Sequence, residues 1–234
     1  KHDFSFCKTG QCEIDRKRHM SIITPRDFQP GTKIIQGCQN NSCSWIVESE
    51  NNPEKSVLML NNLKRFTKCF FSHLAVKYGI PQNSDNAFIK RIKERNRKNT
   101  WGLQKNLDFY RNCIQTLFKR FSPDKLFENR PAHISETSYM LGTNIAICLR
   151  NSMGNGNHEN FEITKFVYVH ELAHMADSRN NLQDDHDTEF WEIFKWLLLE
   201  SNECGLNKLY DPMRATYCSF DIQDPVWTDS RLKI

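Results

Sequence analysis

Hydrophobic residues recur every three or four positions in four stretches of the chain, and this spacing predicts four amphipathic α-helices. The predicted helices cover residues 57–78, 106–121, 161–176 and 187–201. Gly79 and Pro81 end the first helix and Pro123 follows the second, because neither residue type continues a helix easily. A loop rich in glycine and asparagine, at residues 151–160, precedes the third helix.

Short apolar stretches predict strands at residues 33–35, 44–47 and 142–150. Helices together with a few separated strands indicate an α+β fold that is mainly helical and has a small sheet. Residues 1–56 are polar and contain cysteines, so we expect a loop-rich N-terminal segment there. The remaining residues, 57–234, then form the main domain.

The composition agrees with a folded, soluble chain. Its 234 residues are 38% hydrophobic and 26% charged, and this length is enough for one sizeable core or for a small domain plus a larger one. No apolar run reaches the ~18 residues that cross a bilayer, so we expect no membrane segment in this chain. The polar N-terminus has no signal-peptide pattern, and because the chain does not begin with Met, a targeting or membrane segment could precede it.

The third predicted helix ends in a sequence with metal-binding spacing. His170 and His174 are four residues apart, so in a helix their imidazoles project from one face and can bind the same Zn²⁺. Glu171 then points beside the metal, where it can accept a proton from a zinc-bound water. Zinc lowers the pKa of such a water to about 7, which makes hydroxide available near neutral pH.

A catalytic zinc site has three protein ligands and one open position, so a third ligand is expected downstream. We favour His186, which comes twelve residues after His174. Asp184 or Asp185 can cap the next helix and leave His186 beside its first turn. The competing ligands are three carboxylates, Asp177, Glu189 and Glu192.

Nine cysteines are many for this length, and four of them form two similar pairs. Cys7 and Cys12 are separated by four residues, as are Cys38 and Cys43. Together they could form a four-thiolate zinc site, although zinc pairs usually have two intervening residues. Two disulfides in an oxidising compartment, or unpaired thiols, explain the same pattern, and the sequence leaves all three interpretations open.

A basic run occupies residues 90–98, although the net charge of the whole chain is only +4. We favour a solvated helix face or loop for this run. The alternative is a surface that contacts the phosphates of a nucleic acid, alone or with the cysteine pairs.

The chain from residue 57 onward resembles the WLM class of zinc metallopeptidases, which is related to the SprT/Spartan group. It is most like the version encoded by large nucleocytoplasmic DNA viruses. The residues that carry this resemblance are the His170–His174 motif, a His-x-x-x-Phe-Trp signature at His186, Phe190 and Trp191, and a tail with Tyr210, Tyr217 and Cys218. Residues 57–234 would then be a WLM-like metallopeptidase domain with its core at 140–225.

The resemblance implies a minimal zincin-like fold in which Glu171 is the general base. The implied zinc ligands are His170, His174 and His186. It also implies an edge strand, at residues 145–149, that pairs with an extended peptide substrate. Cellular members of this class hydrolyse proteins, including proteins that are crosslinked to DNA.

The predicted activity is therefore the hydrolysis of peptide bonds in protein substrates through a metal-activated water. Tyr210 or Tyr217 is a candidate for stabilising the oxyanion. Two other functions stay open. One is a virion component that keeps a metallopeptidase fold among other virion proteins, and the other is a protein associated with DNA. A viral chain would act in the virion or in the virus factory of the host cell.

Overall fold

The chain combines helices with a mixed sheet. The computed structural model describes residues 4–6, 34–39, 42–47, 52–80, 107–129, 138–150, 157–179, 186–205, 215–218 and 220–222. Within these ranges there are four α-helices: α1 (Pro53–Lys77), α2 (Leu107–Arg120), α3 (Phe161–Ala176) and α4 (Thr188–Ser201). The predicted α+β class is confirmed, and each predicted helix is present.

The helix ends show how local chemistry sets the boundaries. α1 begins four residues before its predicted start, because Pro53 occupies the first turn, where a helix needs no backbone N–H donor. It ends at Lys77, and Gly79, two residues later, has a φ of 68°, a left-handed conformation that glycine adopts without a steric penalty. α3 has the predicted bounds, and the side chain of Asn160 caps it by accepting a hydrogen bond from the Glu162 N–H at 2.8 Å.

The described residues also contain eight short strands. They are β1 (Phe4–Phe6), β2 (Ile34–Gln39), β3 (Ser42–Val47), β4 (Leu126–Asn129), β5 (Tyr139–Leu141), β6 (Asn144–Cys148), β7 (Thr216–Tyr217) and β8 (Phe220–Asp221). The first six form one sheet in the order β1-β2-β3-β4-β6-β5, and β7 and β8 form a separate hairpin. In the large sheet β3, β4 and β6 are parallel, whereas β5 is antiparallel to β6.

The strand that we expected at the sheet edge lies inside the sheet. β6 pairs with β4 on one side and with β5 on the other, so the prediction of an edge strand at residues 145–149 is wrong. All five residues of β6 are buried, and burial along the whole strand is typical of a central position. Among the residues that the structure describes, β5 is the outermost strand on this side.

The two strands predicted in the N-terminal segment form a hairpin. β2 and β3 include most of the predicted stretches and extend them toward each other. β3 also pairs with β4 through Trp45 and Phe127, and Ile46 is fully buried in the main core. This hairpin therefore belongs to the same sheet as β4 and β6. The rest of residues 1–33, apart from β1, lies outside the described residues, and the division at residue 56 stays a prediction.

The core surrounds α3. Phe166, Tyr168, Val169 and Leu172 project in different directions from this helix, and each is essentially inaccessible to solvent. A helix that is buried on several sides holds its side chains in defined rotamers, as a ligand site requires. No helix within the described residues has both the length and the apolar character that crossing a bilayer requires.

Disulfides connect distant parts of the described chain. Cys69 of α1 is bonded to Cys204, and Cys148 of β6 is bonded to Cys218. Cys38 and Cys43 are bonded across the β2–β3 hairpin, so in this state their sulfurs are not thiolate ligands. Cys7 and Cys12 lie outside the described residues. No spacing in the sequence predicted the two long-range bonds.

Candidate metal centre

His170 and His174 lie one turn apart near the C-terminal end of α3, as their spacing predicts. Their Nε2 atoms are 3.2 Å apart. Both side chains are partly buried, and the Asp177 N–H bonds to the Ala173 carbonyl at the end of the helix. The helix therefore places two imidazole nitrogens close together, on the same side.

His186 joins them from the chain that precedes α4. Its Nε2 atom lies 3.0 Å from the Nε2 atom of His170. The cap of α4 is Asp187, whose side chain accepts a hydrogen bond from the Phe190 N–H at 2.9 Å. The prediction that Asp184 or Asp185 caps this helix is wrong, because the helix begins later than that cap would require.

The three histidines form a group of potential ligand atoms that lie within 4.8 Å of one another, and the competing carboxylates are not part of it. Asp177 and Glu189 instead form ion pairs with Arg179. The charge of Glu192 acts on Tyr110, whose pKa is raised by burial and, to a smaller degree, by this carboxylate. The arrangement thus favours His186 over Asp177, Glu189 and Glu192 as the third ligand.

The close approach of the three nitrogens is explained better by a cation than by hydrogen bonds. A ring nitrogen carries either one N–H or one in-plane lone pair, so it forms a good hydrogen bond with one neighbour only. The Nε2 atom of His170, however, has two imidazole nitrogens at 3.0 and 3.2 Å. Nitrogens about 2.0–2.1 Å from a tetrahedral Zn²⁺ are separated by about 3.3 Å, so the residues present fit this ion.

The electrostatic environment keeps His170 in its neutral form. Burial lowers the pKa of His170 well below its usual value, and the proximity of His174 and His186 lowers it further. A neutral imidazole is the form that donates a lone pair to a metal ion. His170 is therefore available as a ligand at neutral pH without first releasing a proton.

Aromatic rings hold the imidazoles in place. The rings of His174 and Phe190 stack with their centroids 4.2 Å apart, and the rings of His186 and Trp191 stack at 5.5 Å. Phe194 contacts His170 edge to face at 5.1 Å. The Phe-Trp part of the signature that follows His186 thus forms a wall that restricts the motion of all three ligands.

Glu171 is 4% exposed and lies on α3 between the two helical histidines. Its charge acts on Tyr217 of the β7–β8 hairpin. Burial raises the pKa of this tyrosine, and the charge of Glu171 raises it further. The hairpin therefore lies near the motif glutamate, although no sequence pattern indicated that the two segments meet.

Tyr217 does not have the geometry expected of an oxyanion donor. Its hydroxyl donates a hydrogen bond to the Cys148 carbonyl at 2.5 Å and also contacts the Ser138 hydroxyl at 2.9 Å. A phenol has a single hydrogen, which is directed here toward the backbone. Tyr217 therefore fixes the hairpin against β6. The other candidate, Tyr210, lies outside the described residues.

Two other histidines of the described residues lie apart from the metal cluster. Neither His158 nor His73 belongs to the metal cluster; His158 contacts the Ser56 hydroxyl at 2.8 Å, and His73 is paired with Glu200. The basic run at residues 90–98 lies outside the described residues. Its proposed contact with nucleic acid therefore stays a prediction.

Two arginines near the site were missed by sequence reasoning. Arg120, at the end of α2, donates hydrogen bonds to the carbonyls of Met175 and Asp177, at the C-terminal end of α3. Arg179 bridges Asp177 and Asp187. Only Arg179 could have been found from the sequence. Acidic residues stand at both ends of the segment that joins α3 to α4, and a cation within such a segment can pair with them. The contact of Arg120 depends on how α2 packs against α3.

The chain was compared with models of protein families, with curated proteins and with solved structures. None of the three comparisons finds a match.

Proposed function

We propose that this chain is a zinc-dependent peptidase with a minimal zincin-like fold, similar to the WLM class. One observation carries the proposal, namely the convergence of the Nε2 atoms of His170, His174 and His186 at distances suited to one metal ion. The glutamate that follows the first of these histidines supplies the acid–base group that such chemistry requires.

The roles follow from the residue types. The three imidazoles would hold Zn²⁺ and leave one coordination position open, which is the arrangement of catalytic rather than structural zinc sites. When bound, Zn²⁺ supplies a Lewis acid that polarises a carbonyl and promotes the ionisation of water. Glu171 then accepts the proton of the attacking water and transfers it to the amine that leaves. Burial of Glu171 restricts its rotamers.

The sheet offers a place for the substrate. β5 is antiparallel to β6, is the outermost described strand on that side, and contacts α3, which carries the motif. An extended peptide can add to such a strand through backbone hydrogen bonds, which accept many side-chain sequences. This arrangement supports a protein or an unfolded segment as the substrate rather than a small molecule.

The test measures zinc content and cleavage of labelled casein in the same preparations. We expect one zinc ion per wild-type chain, and we expect Glu171→Gln to keep the zinc and lose about 10²–10⁴-fold in rate, because only the proton acceptor is removed. Glu162→Gln, on the same helix, is the matched control and should behave as wild type. His174→Ala should lose both zinc and activity.

Two results would contradict the proposal. A wild-type chain without zinc affinity would exclude the metal site. A Glu171→Gln variant that cleaves as fast as Glu162→Gln would leave the metal site but exclude the role of Glu171.

A further inference from the structure

One arginine links the chain segments that carry the second and third histidines. Arg179 follows α3, and its Nε and Nη2 atoms lie 3.0 and 2.6 Å from the two carboxylate oxygens of Asp177. Its Nη1 and Nη2 atoms lie 2.5 and 2.9 Å from the two carboxylate oxygens of Asp187. A further contact joins Arg179 Nε to Glu189 at 3.2 Å. A single guanidinium thus binds two carboxylates, each through both oxygens.

Both aspartates lie at helix ends, within three residues of a histidine of the cluster. Asp177 is the C-terminal cap of α3, three residues after His174, and Asp187 is the N-terminal cap of α4, directly after His186. Each cap is fixed to its own helix by a hydrogen bond. Arg179 therefore holds the end of one ligand-bearing segment against the start of the other.

We propose that Arg179 is a positioning residue that sets the distance between His186 and the two histidines of α3 before a metal ion binds. This inference rests on the proposed function, because it assumes that the three histidines hold zinc. We call Arg179, Asp177 and Asp187 together the arginine clamp.

The chemistry of the clamp requires arginine. The guanidinium is planar and offers five N–H donors in a rigid fork, so it can bind two carboxylates at once and in fixed directions. A lysine ammonium keeps the charge but has no fork. Without a cation, moreover, two caps and Glu189 would bring three negative charges together, and their repulsion would separate the helix ends.

The expected consequence is an effect on metal affinity. His186 is the only ligand outside α3, and its side chain is exposed, so the core of the helix does not hold it. Trp191 restricts the rotation of the His186 ring, and the position of the His186 backbone depends on the chain on either side of it. When a ligand is held in its bound geometry in advance, less conformational freedom is lost on binding. Partners that orient metal ligands typically change affinity 10–100-fold when they are removed.

The experiment measures the zinc affinity of the full chain by competition with a chromogenic chelator. We expect Arg179→Gln to weaken zinc binding 10–100-fold and Arg179→Lys to recover only part of it. Arg65→Gln is the matched control, because it removes the same charge from an exposed position on α1 where the arginine pairs only with its own helix in the described contacts. The control should bind zinc as the wild type does.

A second variant separates the clamp from the helix cap. Asp187→Ser keeps a residue that caps α4 but removes the carboxylate that Arg179 binds. We expect it to weaken zinc binding as much as Arg179→Gln does. The double variant should be no weaker than either single variant, because both remove one shared interaction. The free energy of unfolding, measured without zinc in the same preparations, shows whether a variant is merely less stable.

The possible failures are distinct. A wild-type chain that binds no zinc overturns the proposed function and the clamp with it. A wild type that binds zinc, with Arg179→Gln and Asp187→Ser binding as tightly as Arg65→Gln, overturns the clamp alone. Additive losses in the double variant also contradict it, because the two residues would then act independently.

Discussion

Two clusters of ionisable side chains lie at opposite ends of α4, and both contain histidine. At its start, His186 meets His170 and His174, and the contacts of their Nε2 atoms join one imidazole to another. At its end, Glu200 accepts hydrogen bonds from His73 at 2.7 Å, from Lys77 at 2.7 Å and from Tyr78 at 2.9 Å. The Tyr78 hydroxyl in turn accepts one from Trp196.

The two clusters differ in whether hydrogen-bond donors face acceptors. In the Glu200 cluster each carboxylate oxygen faces donors, and opposite charges meet, so the network is complete and its consequence is stability. In the histidine cluster three imidazole nitrogens face one another, an arrangement that fits a shared cation. Burial of a histidine alone therefore does not indicate a ligand. The groups that surround a histidine indicate whether it is a metal ligand. Because these groups differ, we expect the two clusters to respond differently to mutation, metal and pH.

The largest expected effect concerns the disulfide beside the Glu200 cluster. Replacing Cys69 and Cys204 together by serine should lower the free energy of unfolding by about 5 kcal/mol, because their bond closes a loop with a sequence separation of 135. Urea denaturation measures this loss. Zinc stoichiometry should not change in the fraction that stays folded.

The control is the pair Cys38→Ser and Cys43→Ser, which opens a loop with a separation of only 5. The same chain-entropy relation gives about 2 kcal/mol for it. Equal losses for the two pairs would show that loop closure does not account for the contribution of the long-range bond.

The next largest effect tests whether a mutation in the Glu200 cluster changes zinc binding by the histidines. Glu200→Gln should cost about 3 kcal/mol of stability, because it leaves Lys77 and His73 without the buried charge that they face. Zinc affinity should stay at the wild-type value. Glu203→Gln, in the following turn, serves as the matched control. If Glu200→Gln weakens zinc binding tenfold while the control does not, the clusters are coupled and the comparison fails.

The smallest effect is a difference in pH dependence. Burial lowers the pKa of His170 in the folded chain below its usual 6.5. At a pH between the folded and the unfolded pKa, the unfolded chain therefore binds one proton that the folded chain does not. Without metal, stability should therefore fall as the pH drops below about 6.5, by up to about 1.4 kcal/mol per pH unit for one proton. Bound zinc should move this decline to lower pH, because it competes with protons for the nitrogen.

Glu200 should act in a lower pH window. Burial alone would raise the pKa of Glu200, but the hydrogen bond from His73 and the charge of Lys77 outweigh it, and the pKa lies below the usual 4.5. Its contribution is then fully present above pH 4.5 and is lost as the pH falls through the folded value. Denaturation curves from pH 7 to 3.5, with zinc and with a chelator, distinguish the windows. A decline below pH 6.5 that zinc leaves unchanged would contradict the assignment of the first window to the histidines.

Local patterns were enough for the helices and for part of the site. The spacing of apolar residues predicted four helices, and α3 has the predicted bounds because Asn160 and the apolar run that follows are local signals. The spacing of His170 and His174 placed both on one face for the same reason. His186 was favoured from the sequence, but the cap beside it was assigned to Asp184 or Asp185 instead of Asp187, because several acidic residues there could cap a helix equally well.

The sequence by itself determined the features that depend on neighbours within a few positions: the helices, separate strands at the positions of β2 and β3, and the two helical imidazoles. The tertiary structure alone decided that β6 is central, that Cys69 reaches Cys204, that Tyr217 lies near Glu171, and that Arg179 spans two helix caps. The physical reason is the same in each case. These contacts join residues that are distant in the chain or on different elements, and their distances are set by how whole helices and strands pack.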